Sequence, residues 1–331
     1  MKAILVKQAN QLSYTDIEKP EPGEHEVRVR VKAAGLCGSD FHIFHGTYPA
    51  QYPLVQGHEF SGEIDAVSAG VRGWAVGQRV TADPNIYCHT CHYCLKDQEN
   101  MCLNAQAIGV TRNGAFAEYV LVPDTQLYEL PDALSFEEGA LIEPLACVIY
   151  GMKRLAMPFG SSAIVFGAGP MGLLLLLALK AGGASKVAMM DIDEKRLEKA
   201  KELGANELYT DLAKAREHNA YGFDVVVDAT GNAKVISGMF SVAAKRAKIL
   251  QFGCADSSAM ASISPFAIYD HDWEYIGTRT AVYTFSQAIE MVAHQKIPAM
   301  DVVSEVVPLE RMAQYLQNGK PQGALKIIAK P

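Results

Sequence analysis

The sequence predicts an α/β-plus-β protein in which a β-rich domain is joined to a doubly wound parallel sheet. Three observations carry that expectation. The first 85 or so residues alternate apolar and polar positions between glycine turns. From about residue 145 short apolar strands alternate with helical segments. A late strand near residue 327 returns to the texture of the first region. A chain of 331 residues also exceeds the roughly 100–200 of one ordinary domain, so two cores are expected.

In the first region Glu26-Val-Arg-Val-Arg-Val-Lys32 has a period of two, which suits a half-buried strand. Gly23, Gly46, Gly62 and Gly73 punctuate the region, and 116–122 is a further strand candidate. Residues 85–105 are polar, Cys/His-rich and irregular. In the second region 163–166 forms a short apolar strand, followed by a glycine-rich turn and an apolar helix over 171–181. Further strands are expected at 186–190, 224–228, 248–252 and 273–277, with a charged helix over 193–203. Strands alternating with helices imply right-handed crossovers and a parallel sheet. A helix over 310–317 and a strand over 325–328 close the chain.

The net charge of −7 argues against nucleic-acid and anionic-membrane partners, since no run of Lys and Arg is present to neutralise phosphates. The N-terminal MKAILVKQ lacks the apolar core of a secretory signal. The apolar stretch 163–179 is broken by Gly167, Gly169, Pro170 and Gly172 and falls short of the roughly 20 residues that span a bilayer. A cytoplasmic location is expected. Seven cysteines, an odd number, argue against a disulfide framework. Cys147 and Cys254 read as core thiols.

Gly167-Ala-Gly169-Pro170-Met171-Gly172 follows a predicted strand and opens a predicted helix. In that context the glycines permit a tight turn against a pyrophosphate, and the helix start attracts the anion. Asp191 ends the next strand, 22 residues beyond Gly169. An acid there bonds the adenosine ribose and repels a 2′-phosphate, which favours NAD over NADP. Arg196 lies in the following turn as a further cofactor contact, and Asp193 competes with Asp191 for the helix cap.

Cys88, Cys91, Cys94 and Cys102 fall within fifteen positions. Four thiolates close a tetrahedral shell around zinc and leave no open position, so this site is structural. His89 and His92 lie between them as competing donors. A second, dispersed set consists of Cys37, His58 and Glu143, the last a carboxylate set in an apolar run. Buried carboxylates need a partner, and a metal would serve as one. From the residues alone, a core thiol and a hydrogen-bonding histidine explain Cys37 and His58 equally well.

These segments, taken in order, resemble the zinc-containing medium-chain dehydrogenase/reductase family. The resemblance rests on Cys37-Gly-Ser39-Asp40, Gly57-His58-Glu59, the four-cysteine lobe, Glu143-Pro144 and the glycine-rich turn, and it covers essentially the whole chain. It implies a GroES-like β-barrel catalytic domain over 1–145 and 281–331, carrying a structural zinc lobe at about 85–105. A Rossmann domain would occupy 146–280. It further implies a catalytic zinc held by Cys37 and His58, with Glu59 beside the metal and able to coordinate it. Glu143 stands where alcohol dehydrogenases of the family carry cysteine and polyol dehydrogenases carry glutamate. Asp40 would orient the His58 ring. Ser39 would take the substrate proton and pass it through the cofactor ribose to His42.

The resemblance therefore implies an NAD-dependent oxidoreductase with two Zn2+ per subunit, acting on the secondary hydroxyl of a polyol or sugar alcohol and giving the ketose. A threonine-type or other secondary-alcohol dehydrogenase is the alternative within the family, and a non-catalytic NAD-binding relative the alternative outside catalysis. Family members assemble as homo-oligomers, dimers or tetramers. Two glycines usual in the lobe are replaced by His89 and Asp97, and Arg279 is the nearest candidate for the arginine that anchors polyols.

Overall fold

A computed structural model describes all 331 residues, which divide into two compact units. The first unit comprises Met1–Ala146, Ala281–Gln295 and Val303–Pro331. Its larger sheet runs in space through Leu127–Glu129, Arg79–Ala82, Glu59–Val67, Glu26–Gly35, Lys326–Lys330 and Val303–Pro308. Tyr119–Pro123 pairs with the first half of Glu26–Gly35. All pairs are antiparallel except Val303–Pro308 with Lys326–Lys330. The two end strands do not pair with each other, so the barrel the resemblance implies is an open sheet in its hydrogen bonding. Phe60, Ile64, Phe116, Val122, Leu316 and Ile327 share one core.

The strand Glu26–Gly35 is more buried than its period of two predicts. Arg28 is only 8% exposed, because its guanidinium bonds Asp65 (Nε–Oδ2 2.7 Å) and pairs with Glu21. A charge so paired passes for a surface residue in the sequence and a core residue in the fold. The strand expected at 116–122 is shorter, Tyr119–Pro123, and Ala117 makes an isolated bridge to Ala3.

The second unit comprises Cys147–Thr280 and Lys296–Val302. Its six parallel strands lie in the order Glu207–Tyr209, Lys186–Met190, Ser162–Phe166, Phe223–Asp228, Ala243–Gln251, Glu274–Gly277. The chain winds outward from Ser162–Phe166 to one side, then returns to build the other. The order therefore reverses beside the carboxyl end of Ser162–Phe166, where open parallel sheets bind ligands. The helix Pro170–Ala181 is buried almost continuously from Gly172 to Leu179, which explains its lack of a polar face. Glu207–Tyr209, at three residues, carries too little pattern to be read from sequence.

Cys254 is exposed and Cys147 half-buried, so neither is the core thiol expected from its type. Cys254 lies just beyond the end of the strand Ala243–Gln251, in a segment without regular structure. No helix is long and apolar enough to cross a membrane.

Asp83 illustrates a cost carried by the first unit. Burial pushes its carboxyl up from 3.8 to about 6, although the Asn85 N–H and side-chain amide both donate to Oδ1 at 2.9 Å. An acid with a raised native pKa favours folding while protonated, and that contribution fades as pH rises through about 6. Asp83→Asn is therefore expected to stabilise the protein by up to about 3 kcal/mol at pH 8 and by little at pH 4. Denaturant melts at the two pH values check this, and an equal effect at both would contradict it.

Candidate active site

The turn Gly167–Gly172 adopts the conformation its glycines allow. Gly167 has φ +99°, a left-handed value that a side chain would strain. A Cβ on Gly172 would lie 1.7 Å from the Gly167 carbonyl oxygen, so only glycine permits the helix to start so close to the turn. Pro170 occupies the first helical turn, where its missing N–H costs nothing.

Asp191 Oδ2 accepts the Ala168 N–H at 2.7 Å and Oδ1 accepts the Asp193 N–H at 2.9 Å. Asp193, not Asp191, caps the helix Glu194–Glu202, its side chain accepting from the Lys195 N–H at 3.0 Å. Asp191 is thereby left to the turn. The Arg196 guanidinium stands 3.8 Å from Asp191 Oδ2 and 3.7 Å from Asp193 Oδ2, and its Nε is buried without a hydrogen-bond partner.

Cys88, Cys91, Cys94 and Cys102 converge so that their four sulfurs lie within 4.8 Å of one another. Sulfurs on a tetrahedral zinc at 2.3 Å would stand about 3.8 Å apart. The observed separations of 3.4 Å (Cys88–Cys102), 3.6 Å (Cys91–Cys94) and 4.0 Å (Cys88–Cys94) bracket that value, and the donor set fits zinc. The Thr90 N–H and hydroxyl hold the Cys88 thiol down at about 5, whereas burial and the neighbouring thiols push Cys94 up to about 12. His89 and Asp97 take φ of +55° and +56°, so the loop keeps left-handed turns at the two positions where the family places glycine. His89 and His92 are outside the sulfur cluster.

A second group gathers Cys37, His58 and Glu59, with one donor atom from each within 4.8 Å of the others. Cys37 precedes the helix Gly38–Phe44, and its N–H donates to Asp40 Oδ2 at 2.9 Å. Asp40 is fully buried, and its Oδ1 faces His58 Nδ1 at 3.5 Å. Burial alone would lower the His58 pKa, but the Asp40 carboxylate and Cys37 outweigh it and raise it well above 6.5. Ser39 Oγ lies 3.4 Å from His58 Nε2. His42, exposed, bonds Thr47 Oγ1 through Nδ1 at 3.1 Å and does not bond Ser39. Glu143 is buried in the first turn of the helix Ile142–Leu155 but falls outside the three-residue group.

Comparisons with known proteins cover the length of the chain. The alcohol dehydrogenase GroES-like domain family matches residues 23–132 and the zinc-binding dehydrogenase family residues 170–294. D-arabinitol dehydrogenase 1 of Uromyces fabae is 30% identical over all of this chain and 97% of its own length. This chain belongs to the zinc-containing medium-chain dehydrogenase family. D-altritol 5-dehydrogenase of Agrobacterium fabrum, another relative, is 36% identical over 87% of this chain and 86% of its own. Among solved structures, a zinc-binding dehydrogenase of Sinorhizobium meliloti 1021 bound to NADP superposes with a TM-score of 0.96. It is 31% identical and covers 100% of this chain and 99% of its own.

Two residues of this dehydrogenase escaped sequence reasoning. Lys326, 2% exposed, donates to both Glu59 oxygens at 2.7 Å. Its position in an apolar strand, Lys326-Ile-Ile-Ala, was the only available signal. Tyr283 bonds the buried Glu99 of the four-cysteine lobe, and Glu99 holds the phenol up at about 12. Nothing local in the sequence pairs residues 184 positions apart.

Proposed function

We propose that this dehydrogenase oxidises a secondary hydroxyl of a polyol or sugar alcohol to the ketose, with NAD as hydride acceptor and two zinc ions per subunit. The observation that carries this is the convergence of Cys37 and His58 with buried Glu59 in one group, together with the buried acid Glu143 where simple alcohol dehydrogenases of the family carry cysteine. Relatives named for arabinitol, altritol and sorbitol support the substrate class. In this reading the first unit is catalytic and the second binds the cofactor.

Cys37, His58 and an acid, Glu143 or Glu59, would hold the catalytic zinc, and the four-cysteine lobe the structural one. When bound, zinc in an open site supplies a Lewis acid that makes the substrate hydroxyl easier to deprotonate. Asp40 faces Nδ1 of His58 and keeps Nε2 turned into the site. Ser39 Oγ is the first acceptor for the hydroxyl proton, and exposed His42 exchanges a proton with solvent. Gly167–Gly172 binds the cofactor pyrophosphate at the start of Pro170–Ala181, and Asp191 takes the ribose hydroxyls. In this reading the protein is a cytoplasmic homo-oligomer, a location with which an odd count of seven cysteines agrees.

Initial rates with a panel of alditols, threonine and ethanol, followed by NADH absorbance, test the substrate class. Threonine or ethanol outpacing every alditol would replace it. For the cofactor, Asp191→Ala removes charged hydrogen bonds worth about 1.5–3 kcal/mol, so the NAD-over-NADP ratio of kcat/KM should fall about 10–100-fold. An unchanged ratio would remove Asp191 from cofactor choice.

A further inference from the structure

Asp228 ends the strand Phe223–Asp228, is fully buried, and has no part in the reaction proposed above. Its carboxyl oxygens collect four neutral donors. Oδ1 accepts the Thr230 N–H at 3.0 Å and the Thr230 hydroxyl at 2.5 Å. Oδ2 accepts the Gly231 N–H at 3.0 Å and Gln251 Nε2 at 2.7 Å. Its main-chain carbonyl accepts the N–H groups of Phe252 and Gly253 at 3.0 and 2.8 Å. One residue therefore ties together the turns that follow two neighbouring strands, Phe223–Asp228 and Ala243–Gln251. Gln251 Nε2 also donates to the Gly253 carbonyl at 2.8 Å, and its Oε1 accepts from the Tyr275 hydroxyl at 3.1 Å. The two turns touch: a Cβ on Gly253 would lie 2.3 Å from the Gly231 nitrogen and 2.7 Å from Asp228 Oδ2. The first turn also backs onto Gly167–Gly172. The Ala229 N–H bonds the Phe166 carbonyl at 2.8 Å, and a Cβ on Gly167 would meet Thr230 Cγ2 at 3.0 Å.

We infer that Asp228 is a positioning residue for the nicotinamide half of the cofactor, fixing these two turns as the wall against which that half lies. Asp191 follows the strand on one side of the point where the strand order reverses, and Phe223–Asp228 and Ala243–Gln251 lie on the other. A dinucleotide that crosses the reversal, with its adenosine ribose on Asp191 and its pyrophosphate on Gly167–Gly172, carries its nicotinamide half to the carboxyl ends of those two strands. Turns orient a ligand only when their own polar groups are held from behind, and Asp228 supplies that hold from inside the unit. Asparagine keeps the shape of Asp228 but turns one oxygen into an NH2 group. In one orientation that group faces the Thr230 N–H, in the other the Gly231 N–H. Gln251 cannot compensate by turning its amide over, because it would lose both Gly253 and Tyr275. This inference rests on the proposed reading of Gly167–Gly172 and Asp191 as the cofactor site.

Equilibrium binding to the full-length protein tests this, with NADH followed by its fluorescence and ADP by its displacement of NADH. ADP carries the adenosine ribose and both phosphates and nothing of the nicotinamide half. In the wild type, failure of NADH to bind, or of ADP to displace it, would overturn the cofactor reading and this inference with it. Given both, Asp228→Asn is expected to weaken NADH about tenfold or more, as loss of a bond to a charged group does, and ADP by less than about twofold. Gln251→Met removes one donor and the tie to the Gly253 carbonyl, and is expected to show the same split with NADH weakened about fivefold. A loss for NADH that exceeds the loss for ADP by less than about threefold in folded Asp228→Asn overturns the inference, because a residue that only supports the unit as a whole weakens both ligands alike or neither. Should Asp228→Asn fail to fold, the same ratio in Gln251→Met decides.

Discussion

Replacing Cys37 with alanine is expected to lower kcat/KM about 10³-fold or more and to leave one zinc per chain. The thiolate is one of three donors that meet in this group, where His58 faces Asp40 and Glu59 is held by Lys326. Losing it strips the catalytic metal of its softest donor while the four-cysteine lobe stays intact. Lewis-acid assistance supplies several kcal/mol of transition-state stabilisation, and about 4 kcal/mol corresponds to the stated factor. Metal analysis beside steady-state kinetics separates the outcomes. An active variant with two zincs would remove Cys37 from the site. An inactive variant that also loses the lobe zinc would mean that the substitution unfolds the first unit.

The parts of this molecule legible in the sequence are those set by local chemistry. Gly167 and Gly172 announce their turn because a left-handed φ at the first and a close approach to the Gly167 carbonyl at the second exclude side chains, whereas Gly169 takes an ordinary φ of −73° with open space around it. The four cysteines announce their cluster because they share one short loop. Cys37 and His58 are brought together only by the fold, through the antiparallel pairing of Glu26–Gly35 with Glu59–Val67, so their partnership was visible only through resemblance. Lys326 was invisible for a further reason. Its partner lies 267 positions away, and a lysine in an apolar strand reads as an edge or surface residue until the opposing charge is located. The orienting role of Asp40 was likewise visible only through resemblance, and in the structure it accepts the Cys37 N–H while facing His58.

The lobe is where loss of one atom should cost most in stability. Cys94 is its most buried thiol, 3.6 Å from Cys91 and 4.0 Å from Cys88. Cys94→Ser is expected to release the structural metal and lower the Tm by about 10 °C or more, since a few kcal/mol lost from a domain of this size shifts Tm by that amount. The effect should spread beyond the loop, because Glu99, inside the lobe, is the partner of Tyr283, and Tyr87 donates to the Ala281 carbonyl at 3.4 Å. Tyr283 takes a left-handed φ of +50°, a conformation that needs outside contacts to hold it. Tyr283→Phe isolates that contact: it keeps the ring, removes one half-exposed hydrogen bond, and should cost only about 1 kcal/mol with both zincs retained. Thermal melts with metal analysis on the two variants distinguish a lobe that supports the 281–284 segment from one that merely adjoins it. If Cys94→Ser lost its metal with an unchanged Tm, the cluster would be a metal site without a structural role, and the Tyr283 contact would have to stand without it.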